Sequence, residues 1–137
     1  MAHLALSAAT LRIAGDDLDP EEVTALLGAQ PSDAQRKGQQ LPSKSAVRIA
    51  KTGLWRLSAA DTQPENVDAQ VQEILGQLTQ DLEVWRVLSE RFEVDLFCGW
   101  FMNESNEGVT ISKGTLRALA DRGVELALDI YGPASDA

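Results

Sequence analysis

Few residues in this chain are of types that do chemistry. One histidine, His3, and one cysteine, Cys98, stand among 137 residues. His3 precedes the first regular element, so no imidazole is placed to act as a general base. One thiol allows no internal disulfide framework. Cys98 falls in the middle of an apolar alternation, whereas a nucleophilic thiol needs a lowered pKa and an adjacent base; it reads as a buried structural thiol. The acidic run Asp16, Asp17, Asp19, Glu21 and Glu22 offers oxygen ligands of the kind Mg²⁺ or Ca²⁺ takes. It lacks calcium-loop spacing, with no glycine at the required step and no distal bidentate glutamate. It reads instead as the negative first turn of a helix, which the helix dipole favours. No catalytic residue, metal ligand or cofactor site is assigned.

The residues that remain point to binding. Arg12, Arg56, Asp95 and Asp129 fall at outward positions of strand-like segments, together with Thr10, Glu93 and Glu125. Two cations and four carboxylates on one face predict cross-strand ion pairs. Phe97, Phe101 and Tyr131 share that face. Exposed aromatics beside charged rows predict cover, by the loop over residues 29–52 or by a second copy of the chain. Arg36-Lys37-Gly38 combines guanidinium, ammonium and flexible backbone, a set suited to an anion, without the spacing of a phosphate-binding P-loop. The other reading of these residues is a solvated loop packing on the acidic body. An enzyme built here would have to use carboxylates such as Asp95 and Asp129 with Arg12 or Arg56, and would need at least one shifted pKa in a cleft.

The elements that position these residues follow from periodicity. Ala9, Leu11 and Ile13 alternate with Thr10, Arg12 and Ala14 as a half-buried strand. Asp19 suits an N-cap, Pro20 the first helical position, Glu22 the reciprocal arm of a capping box and Gly28 a left-handed C-cap. Residues 29–52 read as a long loop, with Val47-Arg48-Ile49 a short strand that forms a hairpin with Leu54–Ser58 through Lys51-Thr52-Gly53. Trp55 and Leu57 then face one way, Leu54, Arg56 and Ser58 the other. Thr62-Gln63-Pro64-Glu65 predicts a second capping box before Val67, Val71, Ile74, Leu75 and Leu78. Residues 81–91 form a further helix with Leu82, Trp85 and Leu88 inward. Phe92, Val94, Leu96, Cys98, Trp100 and Met102 line one strand face. Ser112 caps a helix carrying Leu116, Leu119 and Ala120, closed by Gly123. Val124, Leu126, Leu128 and Ile130 are the inward residues of the last strand, and the tail from Pro133 frays. Trp55, Trp85 and Trp100 all fall inward as core aromatics.

The order strand, helix, strand, helices, strand, helix, strand predicts an α+β fold. It suggests a ferredoxin-like sandwich of two βαβ-type halves, with a mainly antiparallel or mixed sheet, helices on one face and an extra helical segment between the halves. The length predicts one domain over residues 1–137, ordered from about residue 8 to 131.

Charge sharpens this picture. The chain carries 12 Lys+Arg and 21 Asp+Glu, a net charge of −9, and its pI is about 4.5. Residues 1–60 are close to neutral at +1, and residues 61–137 hold −10. From Ala34 to Ala60 there is no acidic residue, and Arg36, Lys37, Lys44, Arg48, Lys51 and Arg56 are half of the basic ones. The overall sign argues against nucleic acid as a partner. No apolar run reaches the ~20 residues of a membrane span, so a cytoplasmic protein is expected, as a lone thiol also fits.

Leu11-Arg12-Ile13, Gly15-Asp16-Asp17-Leu18-Asp19-Pro20, Leu27-Gly28, Pro31, Arg36-Lys37-Gly38, Gly53-Leu54-Trp55-Arg56-Leu57, Gly123-Val124-Glu125-Leu126 and Leu128-Asp129-Ile130-Tyr131 form an ordered set. That set resembles a bacterial family of domains of unknown function, number 4279, over about Ala9 to Tyr131. The resemblance implies a fold and carries no catalytic residues. The expected function is a non-enzymatic binding or protein-interaction module, homodimeric, contacting its partner or a small anionic ligand through the basic loop and open sheet face. The alternative is an acidic inhibitor or immunity-type protein that covers a basic partner.

Overall fold

Alternate residues of the first strand, β1 (Leu6–Gly15), are buried, and Ala9, Leu11 and Ile13 seed the core. The computed structural model describes residues 6–43 and 46–133; His3, Lys44 and the tail from Ala134 onward lie outside them. The other elements are α1 (Pro20–Leu27), β2 (Asp33–Gln35), β3 (Gln40–Leu41), β4 (Arg48–Ile49), β5 (Gly53–Ser58), α2 (Val67–Leu75), α3 (Leu82–Arg91), β6 (Glu93–Phe101), α4 (Lys113–Asp121) and β7 (Glu125–Tyr131). Five strands form one sheet in the order β2-β5-β1-β6-β7, and β3-β4 is a separate ribbon. All neighbours in the main sheet are antiparallel except β6 and β7. The architecture is thus α+β with a mostly antiparallel sheet, and α1, α2, α3 and α4 pack on β5, β1, β6 and β7 respectively. The two halves share element order but not strand adjacency: α1 joins β1 to β2, which run in the same direction with the antiparallel β5 between them, whereas α4 joins β6 and β7, which pair directly in parallel.

The core lies between sheet and helices. Trp55, Trp85, Leu11, Ile13, Ile74 and Leu96 are essentially inaccessible. Both buried indoles have partners: Trp55 donates to Thr24 Oγ1 at 3.0 Å and Trp85 to the Thr79 carbonyl at 2.9 Å. Asp19 caps α1 by accepting from the Glu21 N–H, and Gly28 ends it at φ 85°, the left-handed region that favours glycine. Ser112 caps α4 as expected.

Several expectations are corrected. Glu22 does not close a capping box; it reaches Arg91 at 2.9 Å. Thr62 does not cap α2 either. It exchanges backbone hydrogen bonds with Ser7 at 3.0 Å, and its hydroxyl accepts from the Asn66 N–H at 2.9 Å. Asn66 is the cap, accepting from the Ala69 N–H. Behind this joint the buried Gln70 accepts from the Ser7 hydroxyl and donates to the Ser7 and Ala60 carbonyls, tying α2 to β1. β4 pairs with β3 and not with β5. The edge of β5 is taken by β2, because Ser32 donates its N–H to the Arg56 carbonyl and accepts from the Ser58 N–H.

Leu82, Leu116, Ala120, Leu128 and Ile130 are exposed, contrary to the inward reading of Leu82 and the last strand. For β7 the reason is length. Nine helical residues in α4 span about 13 Å, whereas seven strand residues in β7 span about 23 Å. The helix covers the start of the strand, where Val124 is buried, and stops short of its end.

Candidate interaction face

The face of the sheet turned away from the helices carries the residues the alternation placed there. Register aligns Asp33, Arg56, Arg12, Asp95 and Glu125 in one row across all five strands. Arg12 grips Asp95 with both ends of its fork, Nε to Oδ1 at 2.8 Å and Nη2 to Oδ2 at 2.6 Å. This pairing raises the Arg12 pKa above its ordinary value. The same guanidinium lies 4.4 Å from the centre of the Phe97 ring. Arg56 grips Asp33 in the same manner. Each cation of the row is therefore held by a carboxylate of its own.

At the far end of β6 and β7, Phe101 and Tyr131 stack with centroids 4.7 Å apart and planes 9° from parallel. The Tyr131 hydroxyl donates to Asp129 Oδ2 at 2.6 Å, and the carboxylate pushes the phenol pKa up. Between this stack and Phe97 the row is Ala8, Gly99 and Asp129. Gly99 is buried there, with the Phe101 ring 3.7 Å from where a Cβ would stand. Asp129 thus belongs to the aromatic end and not to the Arg12–Asp95 pair.

Arg36 and Lys37 lie elsewhere. Arg36 pairs with Asp19 at 2.9 Å and Glu21 at 3.6 Å, and Lys37 with Asp16 at 3.1 Å. The acidic run that caps α1 is thereby the counterpart of the basic loop, and the loop closes on the protein's own acidic body. Its next segment forms the β3–β4 ribbon. Gly38 donates to the Ala50 carbonyl at 2.8 Å and Ala50 to the Gln39 carbonyl at 2.9 Å, which holds β3 and β4 together beside the sheet.

Between this ribbon and the sheet runs a groove of about 600 Å³ lined by Gln35, Leu41, Arg48, Ile49, Ala50, Lys51, Thr52, Leu54 and Arg56. Arg48 and Lys51 form no ion pair among the described residues. Both belong to the basic run of the sequence, in which Arg36-Lys37-Gly38 stands out for combining guanidinium, ammonium and flexible backbone. The signal that separates the two sets is the placement of acidic residues: Asp16, Asp19 and Glu21 meet Arg36 and Lys37, and nothing of that sign lines the groove.

Cys98 lies on the helix side of β6, fully buried, and burial pushes its thiol up to about 11. Among the described residues no group of three or more His, Cys, Asp or Glu side chains is arranged to hold a metal ion. No described helix is long and apolar enough to cross a membrane.

A family model described as a domain of unknown function, DUF4279, matches residues 5–133. No curated protein and no solved structure matches the chain.

Proposed function

We propose that this chain, which belongs to the DUF4279 family, is a non-enzymatic binding module that takes an acidic, partly apolar peptide segment along the groove between the β3–β4 ribbon and the open sheet face. The observation that carries this reading is the distribution of free positive charge. Arg12, Arg36, Lys37 and Arg56 are neutralised by the protein's own carboxylates. Among the described residues Arg48 and Lys51 are not, nor are Lys113 and Arg117 of α4, and it is Arg48 and Lys51 that line a groove also presenting Leu41, Ile49 and Leu54. Such a lining suits alternating carboxylate and aliphatic side chains, with cations steering approach and apolar area supplying affinity. The pairing of Arg12 with Asp95 and the burial of Cys98 also favour binding over catalysis, since both leave the site without a free base or thiolate.

The test uses hexaglutamate as probe and the full chain at low salt. The double variant Arg48→Glu with Lys51→Glu is expected to weaken binding about tenfold or more, because two attractive charges become repulsive. Arg36→Glu leaves binding close to unchanged. Loss of binding in Arg36→Glu with retention in the double variant overturns the assignment of the groove.

A further inference from the structure

The two edges of the main sheet are built differently. One edge is β2, three residues long, and short edge strands resist pairing with another chain. The other is β7, seven regular residues with no proline, glycine or lysine. None of the devices that blunt an edge is present in it except its carboxylates. Next to this edge lie three exposed aliphatics: Leu128 at 42%, Ile130 at 52% and, on the helix packed over β7, Leu116 at 47%.

Backbone direction shows what the edge offers. The Tyr131 carbonyl points inward and accepts from the Met102 N–H at 2.9 Å. Hydrogen-bonding direction alternates along a strand, so Leu126, Leu128 and Ile130 turn their N–H and C=O groups outward. Among the described residues these outward groups meet no partner strand, and their side chains lie on the helix face.

We propose that β7 pairs antiparallel with β7 of a second copy of this chain, about a two-fold axis through Leu128, to make one continuous sheet of both copies. A two-fold interface matches a surface to itself, and in this register all seven residues of β7 face β7. Leu128 meets Leu128, Leu126 meets Ile130, and each such pair exchanges two main-chain hydrogen bonds. On the open face Ala127 meets Asp129 and Glu125 meets Tyr131, so no carboxylate stands opposite a carboxylate. A shift of the axis to Ala127 sets Glu125 against Asp129, and a shift to Asp129 sets that residue against its own copy; like charges directly opposite destabilise a sheet. An axis at Leu126 leaves only residues 125–127 of β7 facing β7, with Leu128 and Ile130 set against Val124 and Arg122 outside the strand, and one at Ile130 leaves only residues 129–131 and sets Leu128 against Gly132, so each loses most of the strand pairing. Electrostatics and the length of paired strand thus select one register.

The assembly also extends the open face, because the two aromatic ends at Phe101 and Tyr131 come to lie on one platform. The proposal does not depend on the groove beside β5, at the opposite end of the sheet.

Sedimentation equilibrium of the full chain is the test. The wild type is expected at twice 14.8 kDa. Ile130→Lys and Leu128→Lys are each expected to shift the mass to one copy while leaving the far-ultraviolet circular dichroism unchanged, since both side chains already meet solvent. Phe101→Ser, on the open face, keeps the dimer. Leu128→Cys is expected to form a disulfide-linked dimer on mild oxidation, because paired residues across antiparallel strands have Cα atoms about 5.5 Å apart, within disulfide range; Glu125→Cys does not. A wild type of one-copy mass at about 100 μM overturns the proposal. So does a dimer that survives both lysine variants, or one that Phe101→Ser dissociates.

Discussion

Removing Asp95 tests whether the open face holds its charges in mutual pairs. Asp95 stands between Arg12 and Glu125 in the row, and Arg12 stands between Asp95 and Arg56. A bidentate charge-assisted pair is stronger than a neutral hydrogen bond, and its net worth falls with exposure. Here the side chains are 37% and 25% exposed. That places the coupling above the ~0.2–1 kcal/mol of fully exposed pairs and well below that of a buried one, at about 1–1.5 kcal/mol. Asp95→Ala also leaves Arg12 facing Arg56 without a counter-charge, so the single variant should lose about 1.5–2 kcal/mol. Arg12→Met should lose somewhat less, because the Met side chain keeps contact with Phe97 while Asp95 is left beside Glu125. The double variant should lose about 1 kcal/mol less than the sum of the two. Urea unfolding of the four proteins measures this cycle, and its coupling should shrink at high salt. A coupling under about 0.3 kcal/mol refutes the reasoning and implies that the two groups act independently in solution.

Three further outcomes follow from the geometry. Asp68 accepts from Thr115 Oγ1 at 2.6 Å and from the Ser112 N–H at 3.1 Å, and the Thr115 bond holds its pKa below the usual carboxylate value. Its contribution is therefore complete above the unfolded carboxylate pKa of about 3.9 and is lost as pH falls through the lower folded value. In Asp68→Asn the melting temperature should be lower near neutrality and should fall less steeply on acidification; parallel curves for the two proteins contradict this. Cys98, with its thiol pushed up to about 11, should resist alkylation at pH 8 in the folded chain and react within the unfolding transition; fast labelling of the native protein shows the thiol to be accessible. Gln70→Leu removes three hydrogen bonds at the joint of β1 and α2, while Ser7 keeps its bonds to Thr62. The loss should be about 1–3 kcal/mol, read as a fall in melting temperature of about 3–8 °C, and an unchanged melting temperature denies the network a role.

Strand interiors were readable because alternation reports burial directly. Leu11 and Ile13 against Arg12, and Leu96 and Cys98 against Asp95 and Phe97, lie on the sides their parity predicts. The caps at Asp19 and Ser112 were readable because they are local. Thr62 and Glu22 misled because each has a stronger distant partner, Ser7 and Arg91, which no local spacing encodes. The partner of β4 was hidden for a similar reason: the turn at Pro31 and Ser32 brings β2 onto β5 first. Leu128 and Ile130 have the inward parity, but parity names a face and cannot say how far a helix extends over it. For the candidate site, the Arg12–Asp95 pair was foreshadowed by opposite charges of equal parity. The groove at Arg48 and Lys51 was not, because free charge is a difference between cations and the carboxylates that fold beside them.

The central claim is that free positive charge in the groove, and not the acidic balance of the whole chain, selects the partner. Amide chemical-shift mapping with hexaglutamate and then with hexalysine tests it directly. The expected result is that hexaglutamate shifts Gln35, Leu41, Arg48, Lys51 and Leu54 and leaves α1, α2 and α3 unmoved, with hexalysine producing only weak, dispersed changes. Saturable binding of hexalysine on the acidic helical side, with no response in the groove to hexaglutamate, contradicts the account.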